Sequence, residues 1–209
     1  MRFEVVRIRE VEGAKAALAA AYETMVRWLD GLPEFAGWPD VTVRVMLGGA
    51  EECRFWKVTE QCLGFHAVAA LNVDDDGDDW YEVNEFIEVH LNLDSGLREL
   101  ASDWPAQSEL DRECELEALL ATAPHEILHA VDWLRETGGR TPLEVFDQED
   151  GEIALRRVCD RLEDGGAAED RVEGEAREIA MRFCSGRVGA LAEAIGGAME
   201  AERAHAPRL

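Results

Sequence analysis

Two histidines four residues apart, with a glutamate directly after the first, stand in the stretch APHEILHAVDWL, residues 123–134. If that stretch is helical, His125 and His129 lie on one face, about 40° apart. Two imidazoles so placed can share one tetrahedral zinc ion at about 2.0–2.1 Å. Glu126 projects beside the pair, where a carboxylate can take a proton from a zinc-activated water without being a ligand. Types and spacing therefore fit metal-assisted hydrolysis. The competing reading is two ordinary histidines, solvent-facing or buried, on a helix that carries this pattern by chance.

The rest of the stretch bears on that choice. Ile127, Val131 and Leu134 fall on one stripe with Leu128 at its edge, and the histidines fall on roughly the opposite side. Such a helix suits a site between two layers. Pro124 predicts that a new helix begins near residue 123, with Thr122 as N-cap and the proline in the first turn.

A catalytic zinc takes three protein ligands and keeps one open position. Asp132 and Glu136 share the histidine stripe. Asp132, however, is a rise of about 10 Å beyond His125, which makes it a surface group or a partner of a ligand rather than a ligand. Asp132 and Arg135 also stand where a third histidine motif would need glycine and histidine. The third ligand is expected from RVEGEAREIAMRF, residues 171–183, whose apolar face is Val172, Ala176, Ile179 and Phe183. At about 100° per residue, Glu173 is best placed beside that face, Glu175 lies further round, and Glu178 points away. Glu173 is the candidate; Glu175, Asp150 in the acidic DQEDGE turn and His90 stay open. Each can equally be a solvated side chain.

The elements that must position these residues are legible in part. Residues 3–9 read as a strand and 13–30 as an amphipathic helix carrying Ala17, Ala21, Met25 and Leu29 on one side. GLPEFAGWPD interrupts regular structure. Val41, Val43, Val45 and Leu47 alternate as a strand, RFWKVT (54–59) reads as another, and 65–73 as a third. DDDGDD at 74–79 fails the calcium-loop register, because Val83 stands where a bidentate glutamate is required. Asp76-Gly77 is read as a tight turn between antiparallel strands. In EFIEVHLNLD, Ile87, Val89, Leu91 and Leu93 predict a buried face, and Glu88, His90, Asn92 and Asp94 a wet one. As an edge, residues 86–93 would pair with an extended chain. Helices are expected from about 108 onward, broken at GGRTP (138–142) and continuing over 152–163, 167–184 and 188–204. The order predicts a single α+β domain over 1–209, sheet-rich with one helix to residue 107 and helical beyond it, with one small, mostly antiparallel sheet.

Composition bounds the rest. The chain has 209 residues, 47% of them hydrophobic, enough for a real core. The formal charge of −24 disfavours nucleic-acid phosphates and suits a basic peptide or partner. No apolar run is long enough for a membrane span, and MRFEVVRIRE has no apolar signal region. Five widely spaced cysteines without a CxxC pair argue against a disulfide framework, so a reducing cytoplasm is expected. His66 and His205 are further histidines without a motif, and neither Tyr22 nor Tyr81 is placed near the site by the sequence.

HExxH followed on a later helix by glutamate is the pattern of gluzincin metallopeptidases. Glu173-Gly-Glu175-Ala176, with Ala180 four residues on, resembles the ExEAxxxA-like stretch that follows HExxH in ImmA/IrrE-type metallopeptidases. The resemblance implies a zincin-like fold with a small sheet, a backing helix, an active-site helix and a C-terminal helical part. It also implies Zn2+ held by His125, His129 and Glu173, with Glu126 as general base in the hydrolysis of peptide bonds. The alternative is a non-catalytic protein of that fold, a binding or regulatory module that docks a partner on its acidic surface.

Overall fold

The computed structural model describes residues 1–38, 40–73, 79–100, 104–148, 150–163 and 166–205. Strand β1 (Arg2–Arg7), helix α1 (Gly13–Leu29) and strand β2 (Thr42–Gly48) come first. A short helix α2 (Ala50–Phe55) leads to β3 (Gly64–Val73) and β4 (Asp79–Asn92). Seven helices follow among the described residues: α3 (Leu93–Glu99), α4 (Glu109–Leu120), α5 (Thr122–Thr137), α6 (Pro142–Phe146), α7 (Gly151–Glu163), α8 (Gly166–Cys184) and α9 (Val188–His205). The α+β class expected from the element order is observed. No helix among the described residues is long and apolar enough to cross a membrane.

The sheet corrects the expectation of mostly antiparallel pairing. Its order is β1-β2-β4-β3, with β1 parallel to β2 and β2 parallel to β4. Only β3 and β4 run antiparallel. The reason lies in the connections: parallel neighbours need a crossover, and α1 supplies one between β1 and β2. Between β2 and β4 the chain makes α2 and then travels out along β3. The Asp76-Gly77 turn lies outside the described residues, although β3 and β4 pair as far as Val73 and Asp79.

Two further expectations change. Residues 54–59 are not a strand. Glu52 accepts a hydrogen bond from the Gly49 N–H at 2.6 Å, which caps α2, and the chain leaves that helix through Lys57 in a left-handed conformation. Strand β4 is also internal rather than an edge, and its polar face is covered. Glu88, His90 and Asn92 are 8%, 5% and 3% exposed. His90 stacks on Phe65 with ring centroids 4.6 Å apart, and Trp56 closes on it edge-on. Alternation reports that two faces differ, but not that the polar one meets water; here the cover comes from the segment after α2. Leu93 and Asp94 belong to α3, whose first N–H groups are capped by the Asn92 carboxamide oxygen at 3.1 Å.

The apolar face of the sheet, Val43, Val45, Leu47, Ile87, Val89 and Leu91, is buried. Helix α1 meets it at β1, and α5 meets it at β3 and β4. Leu18, Met25 and Leu29 of α1 and Ile127, Val131 and Leu134 of α5 fill the layer between. Helices α9 and α8 pack in turn against α1 and α5. Helix α5 is therefore sandwiched between sheet and outer helices, which leaves one long side for the histidines.

Leu91→Ala is expected to cost about 2–5 kcal/mol in urea unfolding, the usual range for a buried leucine. Asn92→Ala should cost at least about 1 kcal/mol, because it strips the cap of α3 from a covered face. A neutral Asn92→Ala would restore the wet face read from the alternation.

Candidate metal centre

One residue, Ala121, separates the end of α4 from the start of α5. Thr122 is its first helical residue rather than its cap, since Ala121 already has helical φ and ψ. The two helices are thus nearly continuous, and the His125 N–H donates to the Ala121 carbonyl at 3.1 Å. Pro124 sits in the first turn, where its missing N–H costs little. At the other end Gly138 takes the left-handed conformation, and the Trp133 indole N–H donates to the Arg140 carbonyl at 2.8 Å. That bond anchors the helix end and fixes the rotation of the histidine side.

The two imidazoles converge. Their Nε2 atoms are 3.1 Å apart, with side chains 19% and 32% exposed. The carboxylate that faces both is Glu169 in the first turn of α8: one oxygen lies 3.4 Å from His125 Nε2 and the other 3.3 Å from His129 Nε2. Glu173, one turn later, stands on the other side of His125, 3.3 Å from Nδ1. Its second oxygen accepts from Arg177 at 2.6 Å. Two carboxylates spaced i, i+4 on one helix thereby bracket a single imidazole.

Of the residues singled out from the sequence, His125, Glu126, His129 and Glu173 come together, with Glu173 at Nδ1 rather than at the Nε2 pair. Glu175 is drawn to Arg171 at 3.1 Å. Asp150 is exposed at the start of α7, and His90 lies on the opposite face of the sheet. Asp132 is tied to Arg171 of α8 and to Arg135 at 2.8 Å, so it joins helices beside the site instead of entering it. Glu169 was not singled out. Its signal was present: it lies four residues before Glu173, on the same face of the helix expected over 167–184. His66 was noted without a role. It lies on the helix-facing side of β3, edge-on to Trp133, and its buried Nε2 has no hydrogen-bond partner. Burial pushes the His66 imidazole down to about 3.

Among the described residues, His125, His129 and Glu169 have donor atoms close enough together to hold one ion. Bonds of about 2.0–2.1 Å in a tetrahedron put donors about 3.3 Å apart. The Nε2–Nε2 separation of 3.1 Å is close to that edge, and each Glu169 oxygen lies at a similar distance, 3.4 or 3.3 Å, from one of the two nitrogens. Two imidazoles and a carboxylate also suit zinc chemically.

Glu126 lies against the start of the edge strand. A Cβ at Gly64 would stand 2.9 Å from Glu126 Cγ, 2.9 Å from Thr122 Cγ2 and 3.0 Å from the His90 carbonyl oxygen, so only glycine lets strand and helix approach this closely. Desolvation, and then the charge of Glu169, push the Glu126 carboxyl up to about 8. Burial, followed by the neighbouring His125, lowers the pKa of His129. Two recesses meet at Glu126. One, about 470 Å³, lies between α4 and α8, with Ala118, Ala121, Ala180 and Met181 in its walls and His125 at its mouth. The other, about 510 Å³, follows β3 past Phe65 and His66 to His129 and Glu169.

Without metal, a carboxyl whose folded pKa is raised binds a proton that the unfolded chain has released. Its contribution to stability is complete below the unfolded value near 4.5 and is lost as pH climbs toward about 8. Metal-free Glu126→Gln should therefore melt higher than the parent protein at pH 8, by about 2–4 °C for each kcal/mol recovered. The two should converge near pH 4.5, and calorimetry at both pH values checks this. Comparison with known proteins finds no matching family profile, no matching curated protein and no matching solved structure.

Proposed function

We propose that the protein is a zinc-dependent hydrolase of peptide bonds, built on a zincin-like arrangement of sheet, backing helix α1 and active-site helix α5. The observation that carries this reading is the Glu169 carboxylate facing the pair, one oxygen 3.4 Å from His125 Nε2 and the other 3.3 Å from His129 Nε2, beside a glutamate that is not part of the cluster. His125, His129 and Glu169 would hold the ion. Zinc bound there would supply the Lewis acidity that polarises a carbonyl and makes water nucleophilic near neutral pH.

The chain's own residues account for the remaining steps. Glu173, 3.3 Å from His125 Nδ1, is the group that would take a proton held there, leave Nε2 free as a ligand and fix the ring. Arg177 in turn holds Glu173. Glu126, placed where both recesses meet, takes the proton of the attacking water and passes it to the leaving amine. Strand β3 is one of the two edge strands of the sheet, with β4 its one neighbour among the described strands. Its outer backbone would pair with an extended substrate laid beside Glu126, a role that the internal strand β4 cannot take over residues 86–93. The charge of −24 favours peptides with basic residues.

Calorimetric titration of the metal-free protein with zinc should give about one site per chain. Glu169→Ala and His129→Ala should lose that site. Glu173→Gln should weaken it about 10–100-fold, as expected for a group that orients a ligand. Glu126→Gln should keep the zinc and lose about 10²–10⁴-fold in hydrolysis of a basic test peptide. Full activity in Glu126→Gln, or zinc binding indifferent to Glu169, would overturn the assignment.

A further inference from the structure

Cys53 and Cys62 lie on the far side of the sheet from the histidine pair, with their Sγ atoms 3.6 Å apart and both thiols free. They belong to different pieces of chain: Cys53 is fully buried in α2, and Cys62 is half-buried in the segment that leads into β3. One side chain holds both pieces. The Asn92 amide nitrogen stands 3.3 Å from Cys53 Sγ, 3.0 Å from the Cys62 carbonyl oxygen and 3.1 Å from that of Glu60. The Cys53 carbonyl accepts from Val58 at 3.0 Å, which closes the segment from within. The sulfurs are thus placed by a hydrogen-bonded frame, not by the chance meeting of two mobile loops.

We propose that Cys53 and Cys62 form a site of reversible oxidative modification, a dithiol that closes to an intramolecular disulfide on exchange with a small-molecule disulfide such as oxidised glutathione. The Cys62 thiolate, the more accessible, attacks one sulfur of the glutathione disulfide and expels a glutathione thiolate. The Cys53 thiolate then attacks Cys62 Sγ in the mixed disulfide and expels the second. Two protein thiols are oxidised, one external disulfide is reduced, and the two protons released by the cysteines end on the two glutathiones. Closing the pair brings sulfurs now 3.6 Å apart to a bond length of about 2.05 Å.

The link has a local consequence. Cys62 is two residues before Gly64, and Gly64 is the point where strand and α5 touch at Glu126. A covalent tie at Cys62 fixes the segment that seats that contact. Burial, and then the neighbouring Cys53, push the Cys62 thiol up to about 12, so exchange is slow at neutral pH and faster in mild alkali.

The test uses the full chain incubated with excess oxidised glutathione at about pH 8.5, near the ordinary thiol pKa. The protein is then alkylated and peptide-mapped. The expected product is lighter by two hydrogens, contains a linked Cys53–Cys62 peptide and keeps three of its five cysteines alkylatable. Amide exchange over residues 56–63 should slow by about tenfold, because the local opening is tethered. Cys62→Ser and Cys53→Ala should each abolish both changes; if the buried Cys53 variant folds poorly, Cys62→Ser alone decides. A stable glutathione adduct on Cys62, a link between other cysteines, five alkylatable thiols after treatment, or slowed exchange in treated Cys62→Ser would overturn the proposal.

Discussion

The contact between α5 and α8 is the constraint on which the candidate centre depends. A helix presents its side chains at fixed angles, so the rotation of α8 decides which glutamate meets the histidines. That rotation is set by burial: Val172, Ala176, Ile179, Ala180 and Phe183 are all within 4% of complete burial. Turning α8 by one residue, about 100°, would bring several of these side chains into water at about 1.5–3 kcal/mol each. The apolar face thus holds Glu169 above both Nε2 atoms and Glu173 beside Nδ1. The Asp132–Arg171 ion pair ties the same two helices at the neighbouring turn. It is partly exposed and adds little energy, but it agrees with the register that the core imposes.

That register gathers Glu126, Glu169 and Glu173 within a few residues of two imidazoles, with Arg177 as the cation paired to the group. Of the three, Glu126 alone is deeply buried, and its carboxyl is raised first by that burial and then by the charge of Glu169. A divalent cation would offset that charge at the point where Glu169 faces the histidines.

The sequence made some of this legible, and the limits are physical. The i, i+4 spacing of His125 and His129 needed only a helix, and Ile127, Val131 and Leu134 stated which side of it would be buried. Periodicity gives the side of α8 on which Glu173 lies, but periodicity within one helix says nothing about where a neighbouring helix starts. Glu169 lay one turn earlier, and only the packing of α8 on α5 brings that turn over the Nε2 atoms. Parallel pairing was missed because strand–helix–strand order constrains direction only once neighbours in the sheet are known. The face of Glu88, His90 and Asn92 was misread because its cover, Trp56 and Phe65, comes from segments whose place is set by tertiary contacts.

The open side of β3 carries a cost unrelated to chemistry. A strand with unpaired N–H and C=O groups will accept any extended backbone, including the same strand of another copy, and so invites edge-to-edge aggregation. Twenty-four surplus negative charges oppose that encounter through mutual repulsion. Ionic strength screens such repulsion over about 8–10 Å. The acidic surface therefore acts as a colloidal safeguard for an edge strand, and salt, rather than heat, is the variable to which its solubility should respond first.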